Sequence, residues 1–185
     1  DITEEKLKIL KENKVNRLSI GIESFNDKYL KYLGRNYTSD IINEKVEFAK
    51  KYFDNINVDL MIGLPNQTLA EVQDSIEEIV SMEPEHISVY SLILEEGTPL
   101  FKKVEEGLEL PDEELERKMY WTVKRILEAN GYNHYEISNF AKQGYESKHN
   151  LDCWNQKEYI GFGVAAHSYT NGIRYSNIEN LEQYI

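Results

Sequence analysis

Two acids stand where a buried strand would ordinarily exclude them. The stretch Asn57-Val-Asp-Leu-Met-Ile-Gly-Leu-Pro-Asn-Gln-Thr68 opens as an apolar run with Asp59 inside it, and Leu18-Ser-Ile-Gly-Ile-Glu23 ends on a second acid. A charge in apolar surroundings must be paired, turned to a cavity or turned to a ligand. Side chains alternate faces along a strand. Asn57, Asp59 and Met61 therefore share one face, and Ile56, Val58, Leu60 and Ile62 the other. By the same phase Ser19, Gly21 and Glu23 oppose Leu18, Ile20 and Ile22, while Ser88 and Tyr90 oppose Ile87 and Val89. Two carboxylates on neighbouring strands repel unless ribose hydroxyls, an ammonium group or a metal lies between them. The alternative is that Asp59 pairs with Arg17, Arg35 or a backbone amide and only closes the structure.

Histidine and cysteine are the other side chains suited to chemistry. His86 falls at the amino end of its strand and reads as structural, and His134 lies in no motif. His149 reads as a loop histidine bonded to backbone, and His167 either faces a cavity or serves structure. Cys153 is the only cysteine, which excludes an internal disulfide and any iron–sulfur cluster held by several thiolates of this chain. Taken alone it reads as a small buried hydrophobe. Gly161-Phe-Gly-Val-Ala-Ala166 fits a dinucleotide fingerprint in its letters, but a turn and not a helix follows, so that reading is rejected.

The elements that must position these residues alternate along the chain. A helix is predicted near 3–13 with Thr3 as its cap, then a strand Val15–Ile22 and a short helix from Asn26 or Asp27 to Leu33. Residues 40–52 are helical by the spacing Ile42, Val46, Ala49, Tyr52. After the strand 56–62, Thr68-Leu-Ala-Glu71 forms a capping box for a helix with the stripe Leu69, Val72, Ile76, Ile79, Val80. Pro84 ends it before a strand at 86–93. A loop rich in Glu and Gly leads to Pro111 and Asp112, which open the longest helix, closed by Gly131; a strand near 132–138 follows.

Strand–helix–strand units at this spacing imply right-handed crossovers and a parallel sheet. A doubly wound sheet should be apolar on both faces. These strands have one branched aliphatic face and one small or polar face, so the expected fold is α/β, a partial parallel β/α barrel. Glu23 and Asp59 then point inward, towards the carboxyl ends of their strands, where barrel enzymes place their sites.

Composition bounds the partners. The 185 residues are 41% hydrophobic and 29% charged, with a net charge of −12, which argues against nucleic acid and anionic membrane. No apolar stretch reaches the roughly 20 residues of a spanning helix and no basic leader is seen, so the expected compartment is the cytoplasm.

Several segments together resemble one family. They are Asn16-Arg-Leu-Ser-Ile-Gly-Ile-Glu-Ser-Phe25, Leu33-Gly-Arg35, the run 57–68, Pro84-Glu-His-Ile-Ser-Val-Tyr90, Glu95-Glu-Gly-Thr-Pro99, Tyr135-Glu-Ile-Ser-Asn-Phe-Ala141 and Gly161–Ser168. The chain is similar to the oxygen-independent coproporphyrinogen III oxidase-like group of radical S-adenosylmethionine (SAM) proteins, and within it to the HemW-type haem-chaperone branch. The resemblance implies part of a (β/α)₆ barrel that binds SAM and a [4Fe–4S] cluster, the cluster held by a C-x-x-x-C-x-x-C loop absent from this sequence. It implies that residues 1–140 are the later part of the barrel and 141–185 a family-specific extension. A chain without the cluster cysteines is expected to be inactive in radical chemistry.

By motif position the resemblance assigns Glu23, Arg35, Asp59, Ile93 and His167 to SAM. Arg35 would clamp the methionine carboxylate, and Ile93, which taken alone reads as core, would pack on the nucleotide. His149-Asn-Leu-Asp-Cys-Trp154 resembles the H-N-x-x-Y-W motif of the haem-chaperone branch, with Cys153 in place of tyrosine. There His149 and Trp154 would contact haem. The implied functions are haem chaperone or, alternatively, oxidative decarboxylation of coproporphyrinogen III or radical methyl transfer. The implied partners are SAM, haem or a porphyrinogen, a haem-recipient protein, and a second copy of the chain joined along an open edge beside Val15–Ile22.

Overall fold

The computed structural model describes residues 2–185, in two compact units, the first ending at Tyr145 and the second running Glu146–Ile185. In the first unit α1 (Glu4–Glu12) is capped by the Thr3 hydroxyl, which accepts from the Lys6 amide. β1 is Leu18–Glu23, three residues shorter at its start than the apolar run suggests. The reason is local: the Val15 amide still donates to Leu10 O, closing the end of α1, and Lys14 takes a left-handed φ of 63°. α2 (Asp27–Tyr32) is capped by Asn26. A single 3₁₀ turn then leads into α3 (Ile42–Lys50).

β2 is Ile56–Ile62 and α4 is Leu69–Ser81, with both hydrogen bonds of the Thr68–Glu71 capping box present. β3 (His86–Ser91) is followed by α5 (Pro99–Glu105), which the sequence reading treated as loop. Its start has ordinary chemistry: Thr98 caps and Pro99 occupies the first turn, where its missing N–H costs nothing. α6 (Glu113–Ala129) is capped by Asp112. The predicted strand at 132–138 is instead two short strands, β4 (Asn133–His134) and β5 (Asn139–Ala141), paired antiparallel to each other.

The sheet runs β1-β2-β3-β5-β4, parallel through β1–β3 and antiparallel where β5 joins β3. Ile22, Ile56, Val58, Leu60, Ile62, Ile87, Val89 and Phe140 form one buried cluster with Val46 and Ala49 of α3, Ile76 and Ile79 of α4, and Met119, Val123 and Leu127 of α6. The helices thus cover the aliphatic face of the strands. The opposite face carries hydroxyls, amides, an imidazole and carboxylates. That is the layout of an arc of a β/α barrel, helices outside and polar groups within.

In the second unit Ser147 caps α7 (Lys148–Trp154). β6 (His167–Thr170) pairs antiparallel with β7 (Ile173–Ser176). Their two-residue turn, Asn171-Gly172, has φ of 51° and 75°, the left-handed pair that matches the twist of a hairpin. α8 (Leu181–Tyr184) ends the chain. A strand, not a helix, thus follows Gly161–Ala166. Among the described residues no helix is long and apolar enough to cross a membrane.

Candidate functional site

Register brings the polar residues into lateral rows. Ser19 lies beside Asn57 and Asn57 beside His86; one step along, Gly21 lies beside Asp59 and Asp59 beside Ser88. Registered partners on adjacent strands present side chains to the same face, so each row is a line of groups on the inner surface.

Glu23 meets that surface at an irregularity. The pairing slips between Gly21 and Glu23, so that Glu23 lies beside Leu60, and Glu23 takes a φ of 56°. A straight strand would also put Glu23 on this face, but one step further along, beside Met61. The bulge instead folds the Glu23 side chain back over Gly21, where a Cβ would meet Glu23 Oε1 at 2.9 Å. Glycine at position 21 is what leaves room for this carboxylate beside Asp59. Arg35 forms an ion pair with Glu23, whose side chain is the more buried partner. Tyr37 donates from its hydroxyl to the Gly21 carbonyl at 3.0 Å, on the edge of β1 that faces away from β2. Residues 19–23, Arg35, Tyr37, Ile41, Ile42 and Lys45 line a cavity of about 490 Å³ along that edge.

Asp59 is half-buried, and its Oδ1 accepts from Asn57 Nδ2 at 2.7 Å. It is bonded to none of the partners weighed from sequence; Arg17 binds Asn55 at 3.2 Å and lies only within electrostatic range of Asp59. The second oxygen, Oδ2, has no hydrogen bond among the described residues. Asn57 is buried and fully used. Its Nδ2 also donates to Ser19 Oγ, and its Oδ1 accepts from His86 Nδ1 at 2.6 Å and from Ser88 Oγ at 3.1 Å. His86 Nε2 meets the Tyr135 hydroxyl at 2.7 Å. Burial, helped by the charge of Arg17, pushes the His86 pKa down to about 3, so the ring is neutral at ordinary pH.

The remaining predicted residues lie elsewhere. Ile93 is two residues past β3 and 80% exposed, which corrects its reading as core: the chain leaves the sheet after Ser91. In the second unit, His149 and Cys153 share one face of α7, with Cys153 Sγ 3.9 Å from His149 Nε2. Cys153 is exposed, not buried, because α7 buries none of its residues. Trp154 is 56% exposed, and His167 opens β6 in an exposed position. Sequence reasoning placed Asn57 on the correct face without giving it a role, and took His86 as plain structure. The spacing of two residues between Asn57 and Asp59 was the available signal.

The inner face therefore offers carboxylates for hydroxyls or an amine, and Arg35 for a carboxylate. Three comparisons with known proteins place the chain among relatives. The model of the radical SAM superfamily matches residues 1–79. The chain belongs to the radical SAM superfamily. It is 46% identical over its full length to the Bacillus subtilis protein named heme chaperone HemW, and 41% identical to the protein of that name from Lactococcus lactis; it covers 49% of each. The chain thus spans about half the length of these relatives. Among solved structures, the radical SAM enzyme coproporphyrinogen III oxidase (HemN) from Escherichia coli superimposes with a TM-score of 0.78 at 20% identity, over 99% of this chain and 45% of that one, a likeness of fold.

SAM is the cofactor that gives the superfamily its name, and its groups suit the residues present. A diol or ammonium suits Asp59 and Glu23, and a carboxylate suits Arg35, which in this structure already receives one from Glu23. A [4Fe–4S] cluster does not fit the residues of this chain. It has one cysteine, and among the described residues no group of three or more His, Cys, Asp or Glu is placed to hold a metal ion.

Proposed function

We propose that this chain is the SAM-holding and haem-contacting part of a haem chaperone. The observation that carries the reading is the likeness, at 46% identity along its whole length, to a protein named heme chaperone. SAM, when bound, supplies a sulfonium centre with an activated carbon–sulfur bond. The chain's own residues hold it. Asp59 offers Oδ2 to the ribose hydroxyls, Glu23 adds a second acceptor above Gly21, and Arg35 takes the methionine carboxylate. Ile93 covers the nucleotide. The cluster ligands come from outside these residues.

Haem is the cargo, passed on to a recipient protein. His149 ligates its iron and Trp154 stacks on the macrocycle; both are exposed, which leaves them open to a large planar ligand. The open edge of β1 is the surface along which two copies of the chain pair.

Haem titration of the intact protein tests the reading. A Soret shift is expected, and it should be lost in His149→Ala. A titration with no shift, or one indifferent to His149→Ala, overturns the haem assignment. Conversion of coproporphyrinogen propionates to vinyl groups by the reconstituted protein would support the oxidase reading instead, which the fold likeness to the Escherichia coli enzyme accommodates.

A further inference from the structure

Among the described residues, Asn57 alone hydrogen-bonds both the Asp59 carboxylate and the buried network beneath it. Its amide has two ends with opposite polarity, and the Asp59 carboxylate, which only accepts, fixes which end faces it. Ser88 Oγ and His86 Nδ1 both approach Asn57 Oδ1, an atom that only accepts. The proton of the neutral imidazole therefore sits on Nδ1, and Nε2 accepts from the Tyr135 hydroxyl. Nδ2 points at Ser19 and Asp59. Were the amide reversed, two acceptors would face each other at 2.7 Å, the present separation of Asn57 and Asp59.

We propose that Asn57 is a positioning residue for the ligand site. Its Nδ2 donates to Asp59 Oδ1, so that Asp59 Oδ2 is presented at a fixed angle to a hydroxyl or amine of SAM. The role rests on the SAM reading above and adds to it a residue outside ligand contact. His86, Ser88 and Tyr135 set the orientation of the amide and do not meet the ligand. An amide unable to turn keeps Asp59 from rotating onto Arg17, whose charge lies within its electrostatic range.

The test is a double-mutant cycle on SAM affinity, measured by calorimetry on the intact protein, with thermal melts alongside. Asp59→Ala and Asn57→Ala should each weaken SAM binding by about tenfold, the effect of losing one hydrogen bond that involves a charged group. The double variant should be no weaker than Asp59→Ala, because Asn57 acts through Asp59. A role in folding alone would give additive losses. Ser88→Ala removes one of the two donors that hold the amide and spares the rest, and should weaken binding about twofold to threefold; it serves where Asn57→Ala does not fold. Nitrogen NMR of the ligand-free protein should find the His86 proton on Nδ1. Wild-type protein that fails to bind SAM overturns the SAM reading and this role with it. Wild-type binding with additive Asn57 and Asp59 effects, with no effect of Ser88→Ala, or with the His86 proton on Nε2, overturns the positioning role alone.

Discussion

The two faces of β2 are held by opposite means. Ile56, Val58, Leu60 and Ile62 lie in the apolar cluster with α3, α4 and α6. Asn57, one residue out of phase, is held by directed hydrogen bonds to β1 and β3, and itself holds Asp59. Burial of apolar area is non-directional and supplies most of the stability. Hydrogen bonds contribute little net free energy, yet they are costly to leave half made. One strand thus separates the work: the outer face keeps the sheet folded, and the inner face fixes atoms in place.

Substitutions should expose that division. The largest effect is expected from Phe140→Ala, which opens a cavity on the fully buried outer face and should cost about 3–5 kcal/mol in urea unfolding, with SAM affinity altered only through loss of fold. Next comes acid. His86 has a folded pKa of about 3, well below the ordinary histidine value of 6.5, so the unfolded chain binds more protons between those limits. Stability should fall as pH drops below about 6.5, by about 2 kcal/mol between pH 7 and pH 5. His86→Phe should flatten that slope, and a slope unchanged in the variant would assign the acid sensitivity to other groups. Asp59→Asn keeps the bond from Asn57 and removes the charge; it should lower SAM affinity about tenfold, or about 1.4 kcal/mol, with a melting temperature within a degree or so of wild type. The smallest change is Thr68→Ala, which removes the cap of α4 and should cost about 1 kcal/mol without touching SAM binding.

The sequence was most legible where one simple periodicity held. Ile56–Ile62 and Leu69–Ser81 have the bounds that alternation and the capping box indicate. It was least legible where a local exception decided the geometry. Alternation puts Glu23 on the inner face, but the bulge and left-handed φ that fold it back over Gly21 are nothing alternation can announce. α5 lay hidden in a stretch whose Glu and Gly content suggested loop, although Thr98-Pro99 is a sound helix start. The Asn171-Gly172 hairpin carried a local signal that went unused because the flanking strands are only four residues each. The hydrogen bonds joining Asn57 to His86 and Ser88 depend on register between strands about 30 residues apart in sequence, which no local pattern encodes.

Tyr37 acts as a stopper. With its phenol seated on Gly21, an incoming strand can add to the first half of β1 but must evict an aromatic ring before it can zip further. A backbone acceptor on the outer edge of β1 is thereby already satisfied within the chain.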